Sequence, residues 1–173
     1  MYYIGIDLGG TNIAVGLVDE EGHIIHKDNM PTGKHRPYQD IVKDMAMLVL
    51  KVIKDAGKDI KDVKSVGIGS PGTPDNEKGI LVYANNLTNF VNVPLRAEMQ
   101  KYIDLPIILD NDANCAALAE SVAGAAKGTN SSVTITLGTG VGSGVILDGK
   151  IYGGFNYSAP EMGHMIIELD GEP

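Results

Sequence analysis

Apolar and polar residues alternate at the start of the chain in a way that is typical of β-strands. From residue 38 the apolar residues instead recur every three to four positions, as in an amphipathic helix. The predicted elements are strands at 2–8, 12–19 and 23–27, a helix at 38–56, a strand at 63–69, a helix at 94–103, a strand at 105–109 and a helix at 112–125. The first helix has an apolar face formed by Ile41, Met45, Leu48, Val49, Val52 and Ala56. The order βββαβαβα predicts an α/β fold with a mixed sheet and helices packed on it.

The chain also repeats part of its own pattern 129 positions later, since Leu137 follows Leu8 and Asp148 follows Asp19 at that spacing. In each copy a glycine turn is followed by a hairpin that turns after the aspartate. A repeat at this spacing indicates a duplicated domain rather than a solenoid. We therefore expect a first domain at 1–128 and the opening strands of a second, incomplete copy at 129–173.

Composition and charge disfavour several classes of function. Hydrophobic residues make up 43% of the 173 residues and charged residues 21%, an ordinary globular balance. The net charge of −8 disfavours nucleic-acid binding, which needs a basic surface. Cys115 is the only cysteine, and the sequence has neither a signal-peptide pattern nor a membrane-helix pattern. We expect a cytoplasmic protein with no membrane and no nucleic-acid partner.

The first candidate site is the glycine turn at 7–12, which reads Asp-Leu-Gly-Gly-Thr-Asn and joins two predicted strands. Gly9 and Gly10 allow backbone N–H groups to approach an anion, and the Thr11 hydroxyl can donate to a phosphate oxygen. Asp7 ends the first strand and could hold Mg²⁺ through water. An ordinary tight hairpin with a capping aspartate is the alternative.

The second candidate site is the glycine-rich run at 137–144, which includes Gly138, Thr139 and Gly140. It does not fit a Rossmann fingerprint, because Ser143 stands at the third glycine position and a strand follows. It does not fit a P-loop, because Ile151 stands where Ser or Thr is required. Two echoing glycine hairpins favour a phosphate held between two domains over the alternative, a glycine-rich strand edge.

The third candidate site is the polar run Asp110-Asn111-Asp112-Ala113-Asn114, at the carboxyl end of a predicted strand. Open α/β sheets bind ligands at such ends. In a kinase, Asp112 would accept the proton of the attacking hydroxyl and Asn111 would orient the sugar. An EF-hand is excluded because Cys115 occupies the glycine position. A helix cap explains Asp112 but leaves Asn111 unexplained.

A fourth segment, at 159–164, places Glu161 three residues before His164, a pair that is more often found on surfaces or in cores than in sites. The basic stretch at 31–37 is interpreted as a solvated loop. Cys115 is interpreted as a buried small residue of its helix rather than a nucleophile.

Together these segments resemble the ROK family, whose members are mostly hexose and amino-sugar kinases. The resemblance runs over nearly the whole chain and depends on six segments in order, Asp7–Thr11, Ser70–Gly72, Asn86–Leu87 with Phe90, Asn111–Asn114, Gly138–Gly140 and Glu161–His164.

The resemblance implies an actin-like (ribonuclease H-like) ATPase fold that phosphorylates a sugar hydroxyl with MgATP, usually O6 of a hexose such as glucose. It implies that Asp112 is the base, and that the protein forms a homodimer. The implied sugar-binding residues are Gly72, Asn86, Asn111, Glu161 and His164. The implied MgATP-binding residues are Asp7, Gly9, Gly10, Thr11, Gly138, Thr139 and Gly140.

Three departures from the family pattern change these expectations. Phe90 replaces the usual Trp and lacks its indole donor. Pro160 stands where a small residue is usual and lacks a backbone N–H. The family's zinc-binding cysteines are absent after His164, so zinc is expected only in a longer protein. We expect these 173 residues by themselves to be inactive or nearly so.

Three alternative functions remain open. The first is a kinase for N-acetylmannosamine or another sugar. The second is a sugar-sensing ROK transcriptional regulator, which the acidic charge disfavours and for which the start at Tyr2 leaves no room for a helix-turn-helix. The third is a substrate-binding domain without a catalytic role.

Overall fold

The computed structural model describes residues 1–84, 86–138 and 140–168. They form two compact units, Met1–Asp112 and Ala113–Pro173, and each is described by itself. The domain boundary predicted between residues 128 and 129 stays a prediction.

The helices and strands follow the sequence in this order: β1 Tyr2–Leu8, β2 Asn12–Asp19, β3 Ile24–Pro31, α1 Tyr38–Asp55, β4 Val63–Ser70, β5 Thr73–Asp75, β6 Ile80–Tyr83, β7 Val91–Val93, α2 Leu95–Met99, β8 Ile107–Asn111, α3 Asp112–Ala123, β9 Ser132–Leu137, β10 Val141–Leu147 and β11 Lys150–Ile151. Short 3₁₀ turns lie at Ile60–Asp62 and Met162–His164.

A five-stranded sheet with the order β3-β2-β1-β4-β8 forms the centre of the first unit. β1, β2 and β3 pair antiparallel, whereas β1, β4 and β8 pair parallel. An antiparallel meander extended by parallel strands is the arrangement of the actin-like ATPase fold, and the predicted fold class is confirmed.

The core of the first unit lies between this sheet and α1. Inward residues of β1 alternate with exposed ones, and Ile4, Ile6 and Leu8 are buried. The predicted apolar face of α1 is buried as well, with Met45 and Val49 fully inaccessible. Each such side chain stabilises the fold by about 1.5–3 kcal/mol of transfer free energy. This packing fixes the sheet on which the site residues lie.

A second small sheet with the order β5-β6-β7 was not predicted. Its strands are three to four residues long, too short to show a clear period-two pattern. It fills the region between β4 and α2 that the sequence analysis left without elements.

Some boundaries also differ from the predictions. β3 continues to Pro31, because its partner β2 pairs with it along its whole length, down to Asn12. The helix predicted at 94–103 is helical only over Leu95–Met99. The strand predicted at 105–109 lies two residues later, at Ile107–Asn111.

The second unit contains a three-stranded antiparallel sheet with the order β11-β10-β9. α3 packs closely on β10 at Gly144. A Cβ atom at this position would lie only 2.5 Å from the Ala117 Cβ atom, so the contact requires glycine. No helix in the described part of the chain is both long and apolar enough to cross a membrane.

Candidate functional site

The candidate site of the first unit lies at the carboxyl ends of the three parallel strands. Asp7 in β1 is level with Gly69 in β4, and Ser70 in β4 is level with Asn111 in β8. Asp112 follows Asn111 directly and is the first residue of α3. The register therefore brings together two of the segments predicted from sequence, at the edge where open α/β sheets bind ligands.

Two carboxylates, Asp7 and Asp112, interact at this edge. Both residues are exposed. Partial desolvation by the surrounding protein raises the pKa of Asp7 above its ordinary value of 3.8, and the negative charge of Asp112 raises it further. A second negative charge beside Asp7 favours binding of a proton or a cation there.

The glycine turn between β1 and β2 presents unused backbone donors. The Gly9 N–H donates to the Asn12 carbonyl at 3.0 Å and closes the turn. Among the residues that the structure describes, the N–H groups of Gly10 and Thr11 donate no hydrogen bond. Paired free amides in a glycine turn form a suitable anion site.

Asn86 packs directly against this turn. A Cβ atom at Gly10 would lie 3.0 Å from both the Cβ atom and the backbone oxygen of Asn86. Asn86 itself is exposed, whereas its neighbour Leu87 is buried in the core. The buried neighbour anchors the segment, so the predicted sugar-binding residue Asn86 lies beside the predicted phosphate turn.

Gly72 is the second position where glycine is required. Its φ of +79° lies in the left-handed region, and a Cβ atom there would overlap the Tyr83 carbonyl oxygen. Its own carbonyl accepts a hydrogen bond of 3.1 Å from Asn111 Nδ2. The structure therefore places these two predicted sugar-binding residues in contact.

A tether to the edge strand β8 was missed by sequence reasoning. Asn76 Oδ1 accepts hydrogen bonds from the Leu109 N–H at 2.9 Å and from Arg96 Nη2 at 2.8 Å. Arg96 Nε also donates to the Ile107 carbonyl at 2.9 Å. The tether holds the strand that ends at Asn111. No local pattern could have revealed it, because its partners are 11 to 33 positions apart in the chain.

The second unit contains the other predicted site residues. Gly138 and Gly140 are exposed, and the Gly138 N–H donates to the Gly140 carbonyl at 3.0 Å. Thr139 lies outside the described residues. Glu161 and His164 are also exposed, and the His164 N–H donates to the Glu161 carbonyl at 3.1 Å.

Ser143 is a further residue of the second unit that sequence reasoning did not assign to the site. It is buried, and its hydroxyl donates to the Pro160 carbonyl and accepts from the Met162 N–H, both at 3.1 Å. It thus holds the residues on either side of Glu161 against β10. Its position in a glycine-rich strand that follows a glycine turn was the available signal.

The two glycine turns are similar in sequence but differ by one residue in strand register. Leu8 pairs with Ile13 across the first hairpin, whereas Leu137, the residue equivalent to Leu8, pairs with Val141, the equivalent of Asn12. The second turn is therefore one residue shorter, and the echo is not an identical copy.

The structure also places Phe90, the stretch at 31–37 and Cys115. Phe90 is fully buried and meets the Tyr38 ring edge-on at 6.2 Å, so it is a core residue here. The stretch at 31–37 is mostly exposed, as expected for a solvated loop, but Thr32 within it is fully buried. Cys115 is only half-buried, so its description as a buried residue was wrong. It lies on the partly exposed side of α3, next to the buried Asn114.

The residues present do not fit a structural zinc site. The sequence has one cysteine, and in the described part of the chain His164 belongs to no cluster of metal-ligating side chains. One such cluster exists elsewhere, formed by Asp19, Glu21 and His23 in the β2–β3 turn. Asp7 is better suited to Mg²⁺, because it is an exposed carboxylate whose pKa is raised by partial desolvation and by the negative charge of Asp112.

The chain is similar to several kinases of known name. It is 39% identical to a glucokinase of Thermotoga maritima over 97% of this chain, and 39% identical to an N-acetyl-D-glucosamine kinase of Citrobacter koseri over 98%. A ROK family glucokinase from Streptomyces griseus, solved with glucose and AMPPNP, superposes with a TM-score of 0.87 at 36% identity over 99% of this chain.

The chain spans about half the length of these relatives: 51% of the Thermotoga protein, 54% of the Citrobacter protein and 52% of the Streptomyces structure. The ROK family pattern matches residues 3–173, and the chain therefore belongs to the ROK family.

Proposed function

We propose that the chain supplies the sugar-binding and phosphate-binding part of an ATP-dependent hexose kinase that converts glucose to glucose 6-phosphate. The observation that carries this proposal is the exposed Asp112 carboxylate, which interacts with Asp7 at the carboxyl ends of the parallel strands. An Asp112 carboxylate buried among aliphatic side chains would have argued against this proposal.

Asp112 acts as the base in this proposal and takes the proton from the attacking sugar hydroxyl. Asn86, Asn111 and the Gly72 backbone orient the sugar. Glu161 and His164 are further candidate sugar ligands, as the family resemblance implies. Since phosphoryl transfer demands little covalent chemistry from the protein, most of the catalysis comes from positioning and charge stabilisation.

MgATP supplies the transferred phosphoryl group when it is bound. The amides of Gly10 and Thr11 suit phosphate oxygens, and Asp7 suits a hydrated Mg²⁺. Gly138, Thr139 and Gly140 are the second candidate phosphate-binding segment. No step depends on zinc.

The sugar is proposed as glucose because glucokinases are among the relatives. Because an N-acetyl-D-glucosamine kinase is similarly close at 39% identity, an amino sugar such as N-acetylmannosamine or N-acetylglucosamine is the second candidate. The homodimer and the cytoplasmic location stay predictions from the sequence.

A coupled ADP-release assay tests the proposal. The parent chain, meaning the longest natural chain that contains these 173 residues, is assayed with MgATP and a panel of glucose, N-acetylglucosamine and N-acetylmannosamine. We expect the highest kcat/KM with glucose, and little turnover by the 173 residues alone. No turnover of any sugar by the parent chain, together with a mobility shift on operator DNA, would instead favour the regulator.

A further inference from the structure

We propose that Thr32 is a positioning residue for the phosphate turn. Its hydroxyl fixes the Gly9 carbonyl so that the Gly10 amide stays available to a phosphate ligand, and its backbone N–H braces the turn at the Thr11 carbonyl. This inference extends the proposed function, since it assigns a role to a residue outside every segment predicted to bind substrate.

Thr32 contacts both sides of the glycine turn. Its hydroxyl donates to the Gly9 carbonyl at 2.7 Å, and its backbone N–H donates to the Thr11 carbonyl at 2.8 Å. The residue is fully buried, directly after β3 ends at Pro31. One residue thus holds two carbonyls of a turn whose amides at positions 10 and 11 donate no hydrogen bond in the described structure.

Peptide geometry explains how a carbonyl contact controls an amide. The C=O of Gly9 and the N–H of Gly10 belong to one planar trans peptide and point in opposite directions. Fixing the Gly9 oxygen towards Thr32 therefore fixes the Gly10 N–H away from it. Glycine on both sides of this peptide would otherwise allow it to flip. A flipped peptide would present a carbonyl oxygen to the phosphate and repel it.

Thr32 is itself held in place by the first helix. Arg36 Nη2 donates to the Thr32 carbonyl at 2.8 Å, and Arg36 Nη1 pairs with the Asp44 carboxylate of α1 at 2.7 Å. The connection runs from α1 through Arg36 and Thr32 to the glycine turn. Such a supporting contact distinguishes a positioned donor pair from a mobile one.

The test compares Thr32→Val with Thr32→Ser in this 173-residue chain. Valine keeps the shape and the backbone N–H but removes the hydroxyl donor, whereas serine keeps the donor. The probe is MgAMPPNP, and the readout is the NMR shift of the Gly10 and Thr11 amides during titration. We expect the wild type and Thr32→Ser to respond alike. We expect Thr32→Val to bind about tenfold more weakly, the effect of losing one well-placed hydrogen bond.

Thr32→Ala provides a second route if valine prevents folding, because alanine removes the same hydroxyl without placing a methyl group against the Gly9 oxygen. Wild-type affinity in a folded Thr32→Val or Thr32→Ala variant would overturn the inference. So would the absence of any Gly10 or Thr11 shift in the wild type at saturating MgAMPPNP.

The parent chain separates this inference from the proposed function. There, Thr32→Val should raise the KM for MgATP about tenfold and leave the KM for glucose within twofold. Equal effects on both substrates would overturn the positioning role. Nucleotide binding that depends on Thr32, without phosphorylation of any sugar, would contradict the kinase proposal and leave the inference standing.

Discussion

The surroundings of Asp7 in the folded protein disfavour the ionised form of its carboxyl group. Because partial desolvation and the negative charge of Asp112 raise the pKa of Asp7, the folded state binds the proton more tightly than the unfolded state does. The stability of the wild type relative to a neutral variant therefore falls as pH rises through 3.8 and the raised pKa. Functional carboxylates are commonly placed at this kind of cost in stability.

We therefore expect Asp7→Asn to raise the melting temperature by about 2 °C at pH 7 and to have no stabilising effect at pH 3. Asp28→Asn is the matched control with the opposite sign, because a hydrogen bond from Lys51 lowers the Asp28 pKa. Its melting temperature should fall at pH 7 and match the wild type at low pH. Thermal unfolding followed by circular dichroism from pH 3 to 8 measures both. A lower melting temperature of Asp7→Asn at pH 7 would contradict the electrostatic account.

Gly72 gives a second prediction at the scale of one residue. Gly72→Ala should destabilise the protein by about 2–4 kcal/mol, because it adds an overlap with the Tyr83 carbonyl to the strain of a positive φ. Gly57→Ala is the control, since its φ of +68° is similar but open space surrounds its Cβ position. It should cost only about 1 kcal/mol. Urea unfolding compares the two, and equal losses would rule out the steric explanation.

At the scale of elements, the position of the site depends on how the edge strand β8 is held. β8 pairs with β4 on one side, and on its other side Asn76 accepts the Leu109 N–H. Leu109 lies two residues before Asn111, so this hydrogen bond fixes the strand end that carries the candidate sugar ligand and base.

Asn76→Ala should therefore destabilise the protein by about 1–2 kcal/mol and speed hydrogen exchange at the Leu109 amide. Asn76→Asp keeps the acceptor oxygen and adds an opposite charge beside Arg96, so it should retain the Leu109 protection. NMR-detected amide exchange resolves this single site. Unchanged exchange at Leu109 in Asn76→Ala would show that the tether does not restrain β8.

Long elements with a regular apolar pattern were predictable from the sequence, whereas very short strands and residues held by distant contacts were not. β1, β2 and α1 match their predicted bounds within a residue, because each buries one regular face. β5, β6 and β7 escaped prediction because three or four residues show no clear period. At the site, Asp7, Asn111 and Asp112 were found from strand ends. Thr32 and Asn76 were not, since their roles arise from contacts across the fold.

At the scale of the whole molecule, the two units differ in how completely they bury their apolar residues. The first unit contains a continuous core between the central sheet and α1. In the second unit Val133, Ile135 and Leu137 of β9 are exposed, the last at 81%. These 173 residues also span about half the length of their kinase relatives. Activity is therefore best measured in the parent chain.

The most direct test is the effect of Asp112→Asn on glucose phosphorylation by the parent chain. Asparagine keeps the shape of the side chain but is not a base. We predict that kcat falls by about 10²–10⁴-fold while the glucose dissociation constant, measured by isothermal titration, changes less than about threefold. Wild-type turnover by Asp112→Asn would contradict the account.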